Sequence, residues 1–194
     1  ISLAGGEVPE YLKGRILIGN NRSKERNHLL LSSDRADNGP DLMRTITDGR
    51  FVYSRIFMPF MPEMRYIRYI EIADITKHMR ADFKNNQLNT LQEQLFKPRP
   101  AEVLYDIDND LVDDSKYKAV LNTMRNQLDT DLLNARDILF APEYEIGLIS
   151  KTETPYEYRL DENKYPFKII YDAASLSGIQ GKKTIKKQIK DLKN

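Results

Sequence analysis

Hydrophobic and polar positions repeat with two different periods along this chain, and the change of period separates strands from helices. Between Met43 and Phe57, aliphatic, β-branched and aromatic residues lie on both sides of Asp48-Gly49, and such a pair between two such runs is a strong hairpin signal. A two-residue turn there predicts pairing of Met43–Thr47 with Arg50–Phe57. On the second strand Phe51, Tyr53 and Arg55 share one face and Val52, Ser54 and Ile56 the other, so one side of the sheet is expected to be covered and the other wetter. The run "RNHLLLSS" just upstream has the same strand-forming composition.

Helical spacing takes over after "MPFMP". Ile72, Ile75, Met79 and Phe83 predict a helix from about Tyr66 to Lys84. Pro98 and Pro100 stop helix formation and favour extended chain into "AEVLYDI". Tyr117, Val120, Leu121, Met124, Leu128 and Leu132 then form a second apolar stripe, with Asp114 or Ser115 available as N-cap. Further on, "ENKYPFKIIYDAASLSGIQ" predicts a helix entered near Pro166, burying Ile169, Ile170, Ala173 and Leu176 and ending at Gly178. "TIKKQIKDLKN" repeats the stripe with Ile185, Ile189 and Leu192, which reads as the first unit of a helical-repeat stack.

Strands, long helix, strand and helix in this order predict an α+β fold: a small antiparallel sheet with amphipathic helices packed on one face, followed by a helical, repeat-like extension. The expected division is a connector over 1–22, whose glycines and Pro9 suit a turn and a return to extended chain, an α+β unit over 23–142 and the extension over 143–194.

Composition narrows the function classes more than it selects one. With 194 residues, 40% hydrophobic, 30% charged and a formal net charge of +1, the chain can bury a core and has no global charge that calls for nucleic acid. The absence of cysteine removes disulfides, thiolate metal sites and cysteine nucleophiles together, and leaves the redox compartment open. The longest apolar runs are too short to span a bilayer, so no membrane partner is expected. A start at Ile1 and an end in "IKDLKN" without a helix stop lead to the expectation of a fragment of something longer.

Candidate chemistry is sparse. Asp106, Asp108 and Asp110 stand at alternate positions, as in an EF-hand loop, but Leu111 and Tyr117 occupy the places of its glycine and bidentate glutamate. A strand end, with carboxylates serving turn amides and the next helix N-terminus, is the simpler reading. His28 and His78 lack any metal-ligand spacing and read as packing or surface residues. The tail lysines lie mostly opposite the stripe of Ile185, Ile189 and Leu192 and read as a solvated face rather than a phosphate-binding one. "SSDRADNGPDLMR" gathers Asp34, Arg35, Asp37, Asp41 and Arg44 around a Gly-Pro turn. That composition suits a loop that holds a polar ligand or an adjoining domain, but composition alone favours a surface loop with weak, screened ion pairs.

Three segments carry a family resemblance. "LAGGEVPEYLKGRILIG", "DRADNGPDLMRTITDGRFVYSR" and "KPRPAEVLYDIDND" resemble the C-terminal part of type I sulfatases, in particular the heparan N-sulfatase (sulfamidase)-like branch, and "LFAPEYEI" and "YPFKIIYDAASL" are similar to its tail. The passage from Asp110 straight into "LVDDSKY" departs from the family pattern, as though a loop were missing. The resemblance implies a C-terminal subdomain that packs on its own N-terminal catalytic domain and walls one side of a cleft for a sulfated, glycosaminoglycan-type saccharide. Formylglycine and calcium would belong to that catalytic domain. Neither a Cys nor a Ser in the C/S-x-P/A-x-R pattern occurs here, so this chain alone is expected to lack the nucleophile and to be inactive. Residues implied to touch sugar are Asp34, Arg35, Asp37 and Arg44, since Arg forks pair with sulfates or carboxylates and aspartates accept from hydroxyls. The same resemblance implies a periplasmic or secreted setting. A non-catalytic helical scaffold, with the tail helices as its working surface, is the alternative.

Overall fold

Among the residues that the computed structural model describes, four strands make one antiparallel sheet in the order β1 (Leu29–Ala36), β2 (Gly39–Thr47), β3 (Phe51–Ile56) and β4 (Glu102–Asp106). Six helices join them among the same residues: α1 (Asp74–Lys84), α2 (Thr90–Gln94), α3 (Lys118–Ala135), α4 (Glu143–Ile149), α5 (Pro155–Tyr158) and α6 (Phe167–Ala174). The structure describes residues 1–12, 14–106 and 113–178. Asp108 and Asp110 of the acidic series, the junction at Leu111, and the tail with Ile185, Ile189, Leu192 and its lysines lie outside the described residues. The architecture is α+β, as the order of elements predicts.

The β2–β3 turn is displaced from its expected position. Thr47 pairs with Val52, and Asp48 N donates to Phe51 O at 3.4 Å, so the central residues are Gly49 and Arg50 rather than Asp48 and Gly49. Only Gly49 takes a positive φ, at +94°. Asp48 is worth more just before the turn, where its carboxylate accepts from Arg50 N at 2.9 Å and Phe51 N at 2.8 Å. The register moves by two residues, an even number, so every side chain keeps its face.

Ile46, Tyr53 and Leu104 are neighbours across β2, β3 and β4, fully buried on one face of the sheet. Against them lie Leu121, Met124, Leu128 and Leu132, the predicted stripe of α3. Each fully buried aliphatic side chain stabilises the fold by roughly 1.5–3 kcal/mol. A 3-10 turn over Ser115–Tyr117 leads into α3, and Asp114 caps it by accepting from Lys116 N at 2.9 Å.

Two stripes turn differently from what periodicity alone suggests. On α6, Ile169 is exposed, while Phe167 and Tyr171 enter the same core as the sheet and stack edge-on with Phe140, which also meets Phe57. The aromatic rings offer more area to bury than the isoleucine and set the helix rotation. On α1 only Thr76 is buried, and Ile72 and Ile75 are 70% and 71% exposed. The helix starts at Asp74, with a 3-10 turn over Ile70–Ile72 in place of its expected first turns. Arg80 folds this excursion back by pairing with Glu71 and donating to the carbonyls of Met64 and Arg65 at 3.1 and 3.4 Å.

Candidate functional site

The β1–β2 hairpin carries all four residues implied to touch sugar. Its turn is Asp37-Asn38, between the paired Ala36 and Gly39, with Asp37 at φ +51°, a left-handed conformation that Asp tolerates better than most residues. Asn38 Oδ1 accepts from Arg68 N at 2.8 Å, and a side chain at Gly39 would run into Ile67. The turn is thereby pressed against the segment that leads to α1. One step inward the register slips: Asp41 and Leu42 of β2 stand opposite the single Asp34 of β1. Leu42 N, freed from the ladder, donates to Asp41 Oδ1 at 2.8 Å.

That irregularity organises two buried charge clusters. Arg44 has a side chain 0% exposed, with Nε donating to Asp137 at 2.6 Å, Nη1 donating to Met43 O at 2.8 Å and lying 2.7 Å from Asp34 Oδ1, and its guanidinium 5.3 Å from the Phe140 ring centroid. Arg99, from "KPRPAE", forks onto Asp41 at 2.7 and 3.0 Å and donates to the carbonyls of Met58 and Met61, with Arg65 also 3.4 Å from Asp41. Burying such charges is costly unless they are well paired, and Arg44 and Arg99 each meet several acceptors, although Arg44 Nη2 and Arg65 Nε are buried without a hydrogen-bond partner. The charged run that composition favours as a screened surface loop therefore supplies two interior ties.

The four candidates do not converge on one pocket. Asp34, 26% exposed, is held by Arg44; Arg35 projects outward to pair with Glu143 at the start of α4; Asp37 sits exposed at the turn tip; Arg44 is interior. In the "RPAE" stretch Glu102 accepts from Tyr53 Oη at 2.8 Å and from Arg125 at 2.5 and 2.8 Å, joining β3, β4 and α3. Burial alone would raise the Glu102 carboxyl, but hydrogen bonds from Arg125 and Tyr53 outweigh it and hold the group below the usual glutamate value. Asp106, the first of the acidic series, ends β4 as expected, but it takes a bidentate contact from Arg50 at 2.9 and 3.2 Å in place of the expected turn amides. Among the described residues no group of three or more His, Cys, Asp or Glu side chains is arranged to hold a metal ion.

A concave surface lies elsewhere, where sequence reading placed nothing. The segment 25–28, α3 and α5 enclose an open cleft of about 1260 Å³. Within it His28 Nε2 is 2.9 Å from Asp131 Oδ2, while Gln127 Nε2 donates to Asp131 Oδ1 at 3.1 Å. The only signal in the sequence was the polar side of α3, Thr123, Gln127, Asp131 and Asn134, which has the spacing of any solvated helix face.

No protein-family model matches the sequence. Over 153 residues the chain is 29% identical to an ulvan-active sulfatase from Formosa agariphila, a match that covers 75% of this chain and 26% of that protein. The chain thus spans about a quarter of the length of the curated relative it matches. With the hairpin, the "RPAE" strand and α3 described above, this similarity supports a relationship to sulfatases.

Proposed function

We propose that this chain is the C-terminal subdomain of a sulfatase that hydrolyses sulfate esters or N-sulfates on a saccharide, of glycosaminoglycan type or of the kind the relative acts on. The observation that carries the reading is the match to the ulvan-active sulfatase along three quarters of the chain. Chemistry at sulfur would come from an N-terminal catalytic domain bearing formylglycine and calcium, and this chain would be inactive alone. Its own contribution is a stiff wall: Arg44 and Arg99 lock the hairpin and the incoming β4 strand to the core. Of the proposed sugar contacts, Arg35 and Asp37 are open to a ligand, Asp34 partly so, and Arg44 acts by fixing Asp34. The exposed apolar residues Tyr69, Ile72 and Ile75 suit packing on the catalytic domain, since the relative is about four times as long as the matched region. A periplasmic or secreted location follows from the same reading. The heparan N-sulfatase-like branch rests on the motif spacing quoted above.

The test is the full reading frame, expressed and assayed for sulfate release from ulvan and from sulfated glycosaminoglycan fragments. A C/S-x-P/A-x-R motif upstream and activity in the long form alone are expected. Sulfate release by the 194-residue chain, or a long form without that motif, would overturn the proposal.

A further inference from the structure

We infer that the cleft between segment 25–28, α3 and α5 is a second saccharide-binding site, which grips the hydroxyl edges of a sugar chain rather than its sulfates. The inference rests on the reading that the parent enzyme handles saccharides.

Two features of the cleft point to this ligand class. Its polar lining is rich in amides and paired groups: Asn27, Gln127 and Asn134 line it beside the His28–Asp131 pair. Such groups present donors and acceptors side by side, which is what vicinal hydroxyls match, each hydroxyl being both donor and acceptor. Tyr156 adds an aromatic wall, 41% exposed, with the Arg159 guanidinium 4.8 Å from its ring centroid. A ring so supported is a rigid platform for the apolar face of a pyranose.

Charge in the cleft is balanced rather than basic. Arg26 and Arg159 line it together with three carboxylates, Glu25, Asp48 and Asp131; His28 faces Asp131, Glu25 is held by Arg22 at 2.6 Å, and the Asp48 carboxylate serves backbone amides. A site built for sulfate would carry arginines in excess of carboxylates. The lining therefore selects for hydroxyl pattern and ring stacking, and a polymer could be held here while its sulfated unit lies elsewhere on the enzyme.

The test uses the 194-residue chain and four probes: hexasaccharide fractions from ulvan and from heparin, each before and after chemical desulfation. Side-chain amide signals of Gln127 and Asn134 and the imidazole signals of His28 are followed by NMR. At least one desulfated hexasaccharide is expected to shift them, with an affinity that changes less than about threefold between low and physiological salt. Tyr156→Ala should weaken that binding about tenfold and Gln127→Ala about three- to tenfold, with the backbone amide spectrum otherwise retained. Lys77→Ala, on exposed α1, should leave it unchanged.

No shift with any of the four probes, or binding confined to sulfated forms and lost steeply with salt, overturns the inference. Unchanged affinity in the Gln127 and Tyr156 variants does the same. Sulfate release is not the readout, so a failure of the sulfatase reading would leave these results standing, and their failure would leave that reading untouched.

Discussion

Helices α1 and α3 both carry apolar residues at helical spacing, yet only α3 spends them on the core. Leu121, Met124, Leu128 and Leu132 face Ile46, Tyr53 and Leu104, whereas Ile75 on α1 and Ile72 just before it are turned to solvent. Side-chain chemistry does not explain the contrast. Position in the fold decides: α3 lies against Ile46, Tyr53 and Leu104 of the sheet, while α1 lies in an excursion tied back by Arg80 and Arg99. Charge does on the excursion what apolar packing does on α3, which leaves the apolar stripe of α1 free for another surface.

This contrast can be broken or sharpened by substitution. The largest effect is expected where the hairpin meets the core: Arg44→Ala strands Asp34 and Asp137 and should cost about 3–5 kcal/mol, read as a lower denaturant midpoint. Leu128→Ala, a cavity under α3, should cost about 2–5 kcal/mol by the same measurement. Recovery of full stability by either variant would mean that the core is not where α3 and the hairpin place it.

Glu102→Gln should cost about 1–2 kcal/mol at neutral pH, because a charged acceptor shared by Tyr53 and Arg125 becomes a neutral one. The sign with pH follows from its depressed carboxyl. The unfolded glutamate takes up its proton first, so the contribution is full above the ordinary value of 4.5 and is lost as pH falls through the lower folded value. Acid titration of stability should show a smaller drop in the variant. At the alkaline end, burial raises the phenols of Tyr53, Tyr165 and Tyr171, helped at Tyr53 and Tyr171 by hydrogen bonds to Glu102 and Asp129. The unfolded phenols ionise first, so stability should fall as pH rises past their ordinary value of 10, with absorbance at the tyrosinate band appearing together with unfolding.

The smallest effects are expected at the surface. Ile75→Ser on α1 should change the stability of this chain by no more than about 0.5 kcal/mol, and a larger loss in the longer protein proposed above would set a further domain against that stripe. Arg35→Ala removes an exposed pair with Glu143 and should cost about 0–1 kcal/mol. Under the proposed sulfatase reading the same change in the longer protein is expected to raise KM for a saccharide substrate, and unchanged kinetics would remove Arg35 from the proposed contacts.

Much of the fold was legible in residue order. The α3 stripe, the cap at Asp114, the β2–β3 hairpin and the α+β class follow from periodicity and turn chemistry, which are local properties. The turn itself was misplaced because Asp48 can serve a turn from inside or from just before it, and only the register of the whole strand decides. The site was less legible. Arg44 and Arg35 look alike in a charged loop, yet one is interior and one is at the surface. The slip opposite Asp34 that separates their fates appears only once two strands are paired.

By itself, then, the sequence determined the α+β class, the β2–β3 hairpin, the α3 stripe and the resemblance to sulfatases, because each depends on neighbours within a few residues or on motifs read in line. The expected wetter face of the sheet is in fact also buried at Thr45, Ser54 and Val103. Tertiary structure alone decided which apolar stripe was buried, which arginines became interior ties, and that His28 would meet Asp131 across 103 positions. Those outcomes depend on which surfaces reach each other first and on how much water each contact excludes, and neither quantity is written at any single position.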